Sequence, residues 1–280
     1  MRFAALMMGV LLAAGGAGAG ENVWTATGPE GGQALAFAIS AGPGPVLYAA
    51  TRGAGLFRST NAGAAWMPSD SGITNAFLLA LAIDPHAPRT LYAGTVDGVF
   101  RSDDAGASWQ RASDGLTDTF VRALAVDPSA SGVVYAATPG GVFATDDAGE
   151  LWRPASAGLT SPNAFAIALD PLAPQTLYAA TDAGVFRSGN GATSWTPAST
   201  GLPAGTGIEA LALAPATPST LLAGPTGGAG VYRSTDGAQH WTAANRGFAN
   251  TIVRALAIDP QTPATIYAGT FGAGAAKVPA

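Results

Sequence analysis

A motif that combines a hydroxyl, a carboxylate or amide, and a tryptophan recurs five times and could support acid–base chemistry. It reads Ser/Thr-x-Asp/Asn-x-Gly/Ala-x-x-Trp, as in SDDAGASW at 102–109. Its polar residues are Ser59, Asn61, Ser102, Asp104, Thr145, Asp147, Ser188, Asn190, Ser234 and Asp236. A carboxylate can act as a general acid or base, but the amides of Asn61 and Asn190 cannot. We therefore predict that the motif is structural, with polar side chains bonding backbone amides in a tight turn and the tryptophan packed beneath.

Two carboxylates outside the motif are the best candidates for hydrolysis. Asp97 and Asp118 flank the same junction between repeats, and a glycosidase needs two carboxylates about 5–10 Å apart. In other copies of this loop, the residue that corresponds to Asp118 is uncharged. The position is occupied there by Asn75, Ser161 and Asn250, which is typical of a loop cap. We predict no catalytic residue, and keep Asp97 and Asp118 as the alternative pair.

Charged residues that vary from repeat to repeat are the candidates for binding. One position before a recurring apolar run reads Leu35, Leu79, Arg122, Phe165, Glu209 and Arg254. Arginine can hold a carboxylate through two parallel hydrogen bonds. The predicted ligand-binding residues are Arg52, Arg122, Glu209, Arg246 and Arg254. The alternative is an ion pair between Glu209 and Arg254, with Arg122 solvated.

Other chemistries lack the residues that they need. The chain has no cysteine and only two histidines, His86 and His240, far apart in sequence, so we predict no metal site and no cofactor. Its only lysine is Lys277, and no basic run is present, which excludes binding to a nucleic acid backbone.

The tryptophans define the elements that must position these residues. Those of the five motifs, Trp66, Trp109, Trp152, Trp195 and Trp241, are spaced by 43, 43, 43 and 46 residues, and Trp24 precedes the first by 42. Within one unit the apolar runs are ALAVDP (123–128), VVYAAT (133–138), GVFAT (141–145) and LWRPAS (151–156). Turn residues separate these runs, so each unit is predicted to form four short antiparallel strands, as in a propeller blade.

The number of units predicts how the array closes. The first run of the unit occurs six times, but the sixth unit ends at GAAKVPA (274–280) before any tryptophan strand. NVWTATG (22–28) is a tryptophan strand with no preceding unit. We predict an all-β, six-bladed β-propeller with four antiparallel strands per blade, in which the N-terminal strand closes the last blade. An open solenoid or a split into three pairs of blades would leave the two fragments unexplained.

The N-terminus predicts export. Arg2 precedes an apolar run at 3–14 and a small-x-small sequence at 17–19, which is typical of a signal peptide. We expect a signal peptide at 1–19, one propeller domain at 20–280, and a secreted or periplasmic monomer without stable membrane insertion. An uncleaved N-terminal anchor is the alternative.

The recurring motif resembles the Asp-box, or BNR repeat, and AIDPHAPRTLYAGTVDGVFRS (82–102) is similar to sortilin-like, xyloglucanase-like and photosystem II assembly factor propellers. The resemblance implies that the motif turns lie on the rim away from the usual substrate face, which we call the top face. Such propellers include enzymes, receptors and assembly factors. The Arg-Ile-Pro signature of sialidases is missing, and xyloglucanases resemble two propellers in tandem.

We therefore predict a non-enzymatic binding or scaffold propeller that recognises a protein or extracellular polymer through its top face. The alternative is a divergent glycoside hydrolase or polysaccharide lyase that uses top-face carboxylates.

Overall fold

The computed structural model describes residues 28–29, 33–41, 44–245, 252–259, 265–271 and 274–278. Every regular element of these residues is a β-strand, and the strands form six antiparallel sheets that follow one another along the chain. No helix long and apolar enough to cross a membrane occurs in this part of the chain.

The first three sheets have four strands each, in chain order. The first contains β1 (Gln33–Ile39), β2 (Leu47–Arg52), β3 (Leu56–Ser59) and β4 (Met67–Pro68). The second contains β5 (Leu78–Ile83), β6 (Leu91–Thr95), β7 (Gly98–Ser102) and β8 (Gln110–Arg111). The third contains β9 (Ala123–Val126), β10 (Val134–Thr138), β11 (Gly141–Thr145) and β12 (Arg153–Pro154).

The next two sheets repeat this order, and the sixth has three described strands. The fourth contains β13 (Ala164–Leu169), β14 (Leu177–Thr181), β15 (Gly184–Ser188) and β16 (Thr196–Pro197). The fifth contains β17 (Ile208–Leu213), β18 (Leu221–Pro225), β19 (Tyr232–Ser234) and β20 (Thr242–Ala243). The sixth contains β21 (Val253–Ile258), β22 (Ile266–Thr270) and β23 (Gly274–Val278).

The hydrophobic core lies between neighbouring sheets. All five residues of β6, β10 and β14 are buried, because each of these three strands has another sheet packed on both of its faces. Such strands are continuously apolar instead of alternating. The fourth strands contain two exposed residues each. Burial therefore decreases from the inner strands to the outer edge of each sheet.

Each sheet packs on the next one along the chain, through contacts between first strands that run from β1 to β21. Among the described residues, β1 and β21 show no comparable packing with each other. The predicted four strands are present in five of the six sheets. The strand predicted at 22–28 lies outside the described residues except for Gly28, so closure of the ring by this strand stays a prediction.

A register shift at the start of the first strand recurs in five of the sheets. In the fourth, fifth and sixth sheets it falls between Ala164 and Ala166, between Ile208 and Ala210, and between Val253 and Ala255. A bulge leaves one residue out of the ladder and changes the direction of its side chain. The residues skipped here are Phe165, Glu209 and Arg254. The bulges thus single out the position that varies from repeat to repeat in the sequence.

Candidate functional site

The variable residues meet their neighbours where the first strands begin, at the end of the sheets that we call the top face. We call the following residues the top-face cluster: Phe120, Arg122, Asn163, Phe165, Asp182, Glu209, Arg254 and Phe271. They come from the third to the sixth sheets and form two contact groups. Arg122 contacts Phe120, Asn163 and Phe165, with Asp182 bonded to Asn163, and Arg254 contacts Glu209 and Phe271.

Arg122 is held in place by residues of the neighbouring sheet. Its Nη1 donates to Asn163 Oδ1 at 2.7 Å and to the Ala164 carbonyl at 3.3 Å. The guanidinium carbon lies 4.5 Å from the centre of the Phe165 ring and 5.4 Å from that of Phe120. Asn163 Nδ2 in turn donates to Asp182 Oδ2 at 3.1 Å. One edge and one face of the guanidinium are therefore fixed before any ligand arrives.

The opposite edge of Arg122 remains available. Among the described residues neither its Nε nor its Nη2 has a hydrogen-bond partner, and neither is a buried atom, so both reach solvent. Burial lowers the pKa of Arg122, and the charges of Asp118, Asp182 and Glu209 oppose that shift. The group stays a cation at neutral pH, because an arginine side chain is not deprotonated in proteins.

Glu209 and Arg254 form the ion pair that the sequence offered as an alternative. Arg254 Nη1 lies 3.2 Å from Glu209 Oε1, and its guanidinium lies 5.6 Å from the centre of the Phe271 ring. The Glu209 side chain is 19% exposed and that of Arg254 is 55% exposed. Glu209 Oε2 is buried and has no hydrogen-bond partner among the described residues. One carboxylate oxygen in the cluster thus lacks a donor.

The other predicted binding residues lie apart from this cluster or cannot be placed. Arg52 ends β2, is exposed, and forms an isolated backbone bridge with Phe77. Arg246 lies outside the described residues. The expectation that Arg122 is simply solvated differs from the structure, since aromatic rings and an amide surround it. Phe120, Asn163 and Phe271 were not expected. The bond from Arg122 to Asn163 crosses between two sheets, whereas Phe120 and Phe271 contact arginines of their own sheets.

The alternative catalytic pair comes from adjoining loops. Asp97 lies in the turn between β6 and β7, and Asp118 lies in the connection from β8 to β9. The Gly98 amide donates to the Thr119 carbonyl at 2.7 Å, so the two loops are in contact. Asp97 forms an exposed ion pair with Arg111 at 3.1 Å. Asp118 Oδ1 accepts a hydrogen bond from the Phe120 amide within its own loop.

The motif copies form turns between the third and fourth strands, which we call the repeat turns (59–66, 102–109, 145–152, 188–195 and 234–241). In the second copy the Ser102 hydroxyl donates to Asp104 Oδ1 and accepts from the Gly106 amide, both within 2.9 Å. Asp104 Oδ1 also accepts from the Ser108 amide at 2.9 Å. Asn61 accepts the corresponding amide bond from Ala65 at 2.8 Å, so an amide can replace the carboxylate.

Hydrogen bonds within the repeat turns also control acidity. The pKa of Asp104 is lowered to about 2, mainly by the Ser108 hydroxyl and amide and then by the Ser102 hydroxyl. The pKa of Asp236 is lowered to about 2, first by the His240 amide and then by the His240 ring. These aspartates are therefore ionised acceptors at neutral pH and hold no proton to donate.

Alanine as well as glycine takes left-handed dihedral angles in the backbone of the repeat turns. Each turn has two consecutive residues with positive φ, one alanine and one glycine, as in Ala105 (φ 62°) and Gly106 (φ 82°). The order is reversed in the fourth and fifth copies, where Gly191 (φ 65°) precedes Ala192 (φ 63°) and Gly237 (φ 72°) precedes Ala238 (φ 67°). The apparent replacement of glycine by alanine is therefore an exchange between two positions with similar conformations.

Each described tryptophan after the first links its repeat turn to the preceding sheet. Trp109 Nε1 donates to the Ser69 carbonyl at 2.7 Å, and Trp152 Nε1 donates to the Ala112 carbonyl at 2.8 Å. The same bond recurs from Trp195 to Ala155 and from Trp241 to Ala198. Trp66 Nε1 is buried but has no partner among the described residues.

Groups of histidine, aspartate and glutamate that could hold a metal ion are absent from the residues described above. No protein-family profile matches the sequence, and no curated protein sequence matches it.

Solved structures with similar folds include enzymes and other proteins. The GH74 enzyme of Niastella koreensis superposes with a TM-score of 0.71 and 20% identity over 88% of this chain and 45% of that chain. YCF48 from Cyanidioschyzon merolae gives a TM-score of 0.62 and 14% identity over 86% and 81% of the two chains. The extracellular domain of BT4673 from B. thetaiotaomicron gives a TM-score of 0.67 and 16% identity over 87% of this chain and 31% of that chain.

These neighbours share a β-propeller-type fold, and the chain therefore has that type of fold. It spans under half the length of the Niastella koreensis enzyme. At these levels of identity the likeness defines the fold alone, and the fold hosts both hydrolases and non-catalytic proteins.

Proposed function

We propose that this protein is an exported, non-enzymatic binding propeller that recognises a carboxylate-bearing protein or extracellular polymer at its top-face cluster. The observation that carries the proposal is Arg122, whose guanidinium is fixed on one edge by Asn163 and stacked on Phe165 while its other edge stays open. Its role would be to donate hydrogen bonds from Nε and Nη2 to one carboxylate.

The geometry around Arg122 favours binding because the side chain needs little reordering. Immobilising a long side chain costs about 0.5–1.5 kcal/mol on association, and a side chain that is already held avoids most of that cost. The Nε and Nη2 edge of a guanidinium matches the two oxygens of a carboxylate. The aromatic rings also displace water from one face of the cation, which strengthens the interaction with an anion.

Divergent glycoside hydrolysis or polysaccharide cleavage remains the second candidate. The contact between the loops of Asp97 and Asp118 is the observation that favours it. Against it, the Asp97 carboxylate pairs with Arg111 and the Asp118 carboxylate accepts an amide of its own loop. Both carboxylates are thus already engaged by groups of the protein itself.

We also propose that the fold is a six-bladed Asp-box propeller closed by residues 22–28 as the fourth strand of the last blade. Support comes from the tryptophan bonds: each acceptor carbonyl lies three residues after the preceding tryptophan, as Ser69 follows Trp66. By that spacing the acceptor for Trp66 would be Thr27, three residues after Trp24. Trp66 Nε1 is a buried donor that has no described partner, which fits this closure.

For the whole chain we propose a signal peptide at 1–19 and a single domain at 20–280 that is secreted or periplasmic and monomeric. The n-region, the apolar run and the small-x-small site support export. The absence of cysteine means that the exported domain would be stabilised by packing between sheets and by the repeat turns.

Binding to immobilised carboxylate-bearing partners tests the function. The purified protein is titrated against polygalacturonate, carboxymethylcellulose and an acidic peptide, and Arg122→Gln is compared with Arg187→Gln, which removes an exposed arginine from β15. We expect Arg122→Gln to weaken binding at least tenfold and Arg187→Gln to leave it unchanged, with equal melting temperatures. Equal affinities of the two variants for every partner would contradict the proposal, and glycan turnover lost in Asp97→Asn or Asp118→Asn would establish the alternative.

A further inference from the structure

We propose that the protein has a second binding site, on the side of the repeat turns, which takes the anion of a small apolar carboxylic acid. The site is a cavity of about 340 Å³, within the range of about 300–1,000 Å³ that small-molecule sites span. We call it the rim cavity. Its lining comes from the first sheet, the loop after that sheet and the first two repeat turns, and includes Arg58, Thr60, Asn61, Met67, Asp70 and Gly106. None of these residues belongs to the top-face cluster, so the inference does not depend on the proposed function.

The wall of the rim cavity on the first sheet belongs to a row of side chains that crosses three strands. Arg58 of β3 pairs in the strand ladder with Tyr48 of β2 on one side and with Met67 of β4 on the other. The Tyr48 hydroxyl donates to the Ala105 carbonyl at 2.9 Å, and a Cβ atom on Gly106 would lie 3.1 Å from the Tyr48 ring. The second repeat turn is therefore held against this row, and the cavity is present before any ligand arrives.

Arg58 brings an unpaired positive charge to the rim cavity. The equivalent arginine of the second sheet, Arg101, pairs with Asp103 at 2.8 Å, but the residue that corresponds to Asp103 in the first repeat turn is Thr60. Within the described ranges Arg58 forms no ion pair. Its Nε is buried, but its two Nη atoms, which lie near the Tyr48 hydroxyl, are not. The Nη atoms are therefore the ones that an anion in the cavity can reach.

Asn61 supplies a second donor. Its Oδ1 accepts the Ser59 hydroxyl at 2.9 Å and the Ala65 amide at 2.8 Å, which leaves the Nδ2 group. In the fourth copy Asn190 Nδ2 donates to the Ser194 hydroxyl at 2.9 Å, but Ala65 has no hydroxyl. Among the described residues Asn61 Nδ2 therefore has no acceptor. Aspartate, which occupies this position in three of the five copies, would place a negative charge here instead.

Asp70 is the carboxylate in the lining, and it is directed at the backbone of its own sheet. It has the position that Ser113 has in the second sheet, where the Ser113 hydroxyl accepts from the Val99 amide at 2.9 Å. A Cβ atom on Gly55, just before β3, would clash with Asp70 Oδ2. In the part of the chain that the structure describes, no ion pair joins Asp70 to Arg58. The charge of Arg58 is thus left for a ligand.

The donors and the apolar wall define the class of ligand. A carboxylate accepts two hydrogen bonds from a guanidinium, and such charge-assisted bonds are stronger than neutral ones. Met67, which is 71% exposed, and Pro68 present apolar surface beside these donors. The thioether of methionine makes favourable contacts with aromatic rings, and covering Met67 removes apolar surface from water. An acid with one carboxylate next to an apolar ring, such as benzoate, meets both requirements.

Titrations of the full chain, followed by its amide NMR signals, test the inference with three probes. These are benzoate, benzyl alcohol and inorganic sulfate. Benzyl alcohol keeps the ring without the charge, and sulfate keeps a charge without the ring. We expect benzoate to bind at least tenfold more tightly than either of the others.

Two substitutions restore charges that other copies of the repeat turn contain. Thr60→Asp gives Arg58 an ion-pair partner, and Asn61→Asp places a carboxylate at the open amide while it keeps the acceptor of the turn. We expect each to weaken benzoate binding at least fivefold without lowering the melting temperature. The matched changes Thr235→Asp in the fifth copy and Asn190→Asp in the fourth should leave the affinity unchanged.

The outcomes separate the inference from the proposed function. Unchanged benzoate affinity in Thr60→Asp or in Asn61→Asp would overturn the inference, as would the absence of benzoate binding or an equal affinity for either other probe. Benzoate binding that is lost in Arg122→Gln would assign the probe to the top-face cluster, which overturns the inference and leaves the proposed function standing.

Discussion

At the scale of single residues, the same chemical groups have different roles according to what donates to them. Asp104 receives a hydroxyl and an amide from Ser108 and a further hydroxyl from Ser102. These donors stabilise its ionised form within one turn. Glu209, in contrast, has one oxygen paired with Arg254 and one without a donor. The first carboxylate is satisfied by its own loop, whereas the second depends on one ion pair.

The lowered pKa of Asp104 predicts that this residue contributes to the loss of stability at low pH. Its pKa is about 2 in the folded protein and about 3.9 in an unfolded chain. Its ionised form therefore stabilises the fold above about pH 4, and that contribution is lost as the pH falls toward 2. Asp104→Asn keeps a side-chain oxygen that accepts the turn hydrogen bond, as Asn61 does, but it removes the carboxyl group that titrates. We expect the urea midpoint of this variant to fall less between pH 5 and pH 2 than that of the wild type.

Asp114→Asn is the control for this comparison, because it also removes one carboxylate from an exposed position. Its pH profile should follow that of the wild type more closely. Identical profiles for Asp104→Asn and the wild type would show that the turn hydrogen bonds do not contribute to pH-dependent stability.

At the scale of the elements, the loop after each outer strand is held against the next repeat turn. The Trp109 amide donates to the Ser71 carbonyl, and the Trp152 amide donates to the Asp114 carbonyl. The next residue of each loop, Gly72 or Gly115, has positive φ, and a Cβ atom there would lie 2.2 Å from the tryptophan carbonyl. Only glycine permits this approach of the two backbones. The contact fixes how closely neighbouring sheets pack.

Substitution of Gly115 tests the close approach. Gly115→Ala creates a backbone clash in addition to the strain of positive φ (86°), whereas Gly205→Ala creates only the strain (φ 68°) because nothing lies within 4 Å. We expect Gly205→Ala to lower the free energy of unfolding by about 1–2 kcal/mol. Gly115→Ala should cost about 1–3 kcal/mol more in urea titrations. Equal losses would mean that the loop moves away without penalty.

At the scale of the whole molecule, stability depends on whether the first and sixth sheets are connected. Five interfaces between successive sheets are present, each containing a shared hydrophobic cluster, and four of them contain a tryptophan. Trp66 has the position in the first sheet that these tryptophans have in theirs, but its Nε1 has no partner among the described residues. The proposed closure would give it one.

A double-mutant cycle tests this closure. In the full chain we expect Trp109→Phe to lower the free energy of unfolding by about 1–3 kcal/mol, because it leaves the Ser69 carbonyl without its donor. The proposed closure predicts a similar loss for Trp66→Phe. Deletion of residues 20–28 should lower the melting temperature. In the shortened chain Trp66→Phe should have almost no further effect, while Trp109→Phe keeps its cost. Additive losses for Trp66→Phe and the deletion would rule out closure by this segment.

Much of this protein can be predicted from the sequence because its repeats supply several copies of each element. The spacing of the tryptophans and the apolar runs determine the strands, the turns that join them and the succession of sheets, since these depend on residues close together in the chain. The alignment of repeats also determines the variable position of Arg122, Glu209 and Arg254, and bulges occur at the last two of these residues.

Only the tertiary structure decides what surrounds these side chains. Arg122 is bonded by Asn163, 41 residues away, and Arg254 is paired with Glu209, 45 residues away. Such contacts depend on how one sheet is rotated against the next, and periodicity within a repeat does not determine that rotation. The sequence therefore determined the scaffold and the position of the cluster, whereas packing between sheets decided which arginine is neutralised and which keeps an open edge.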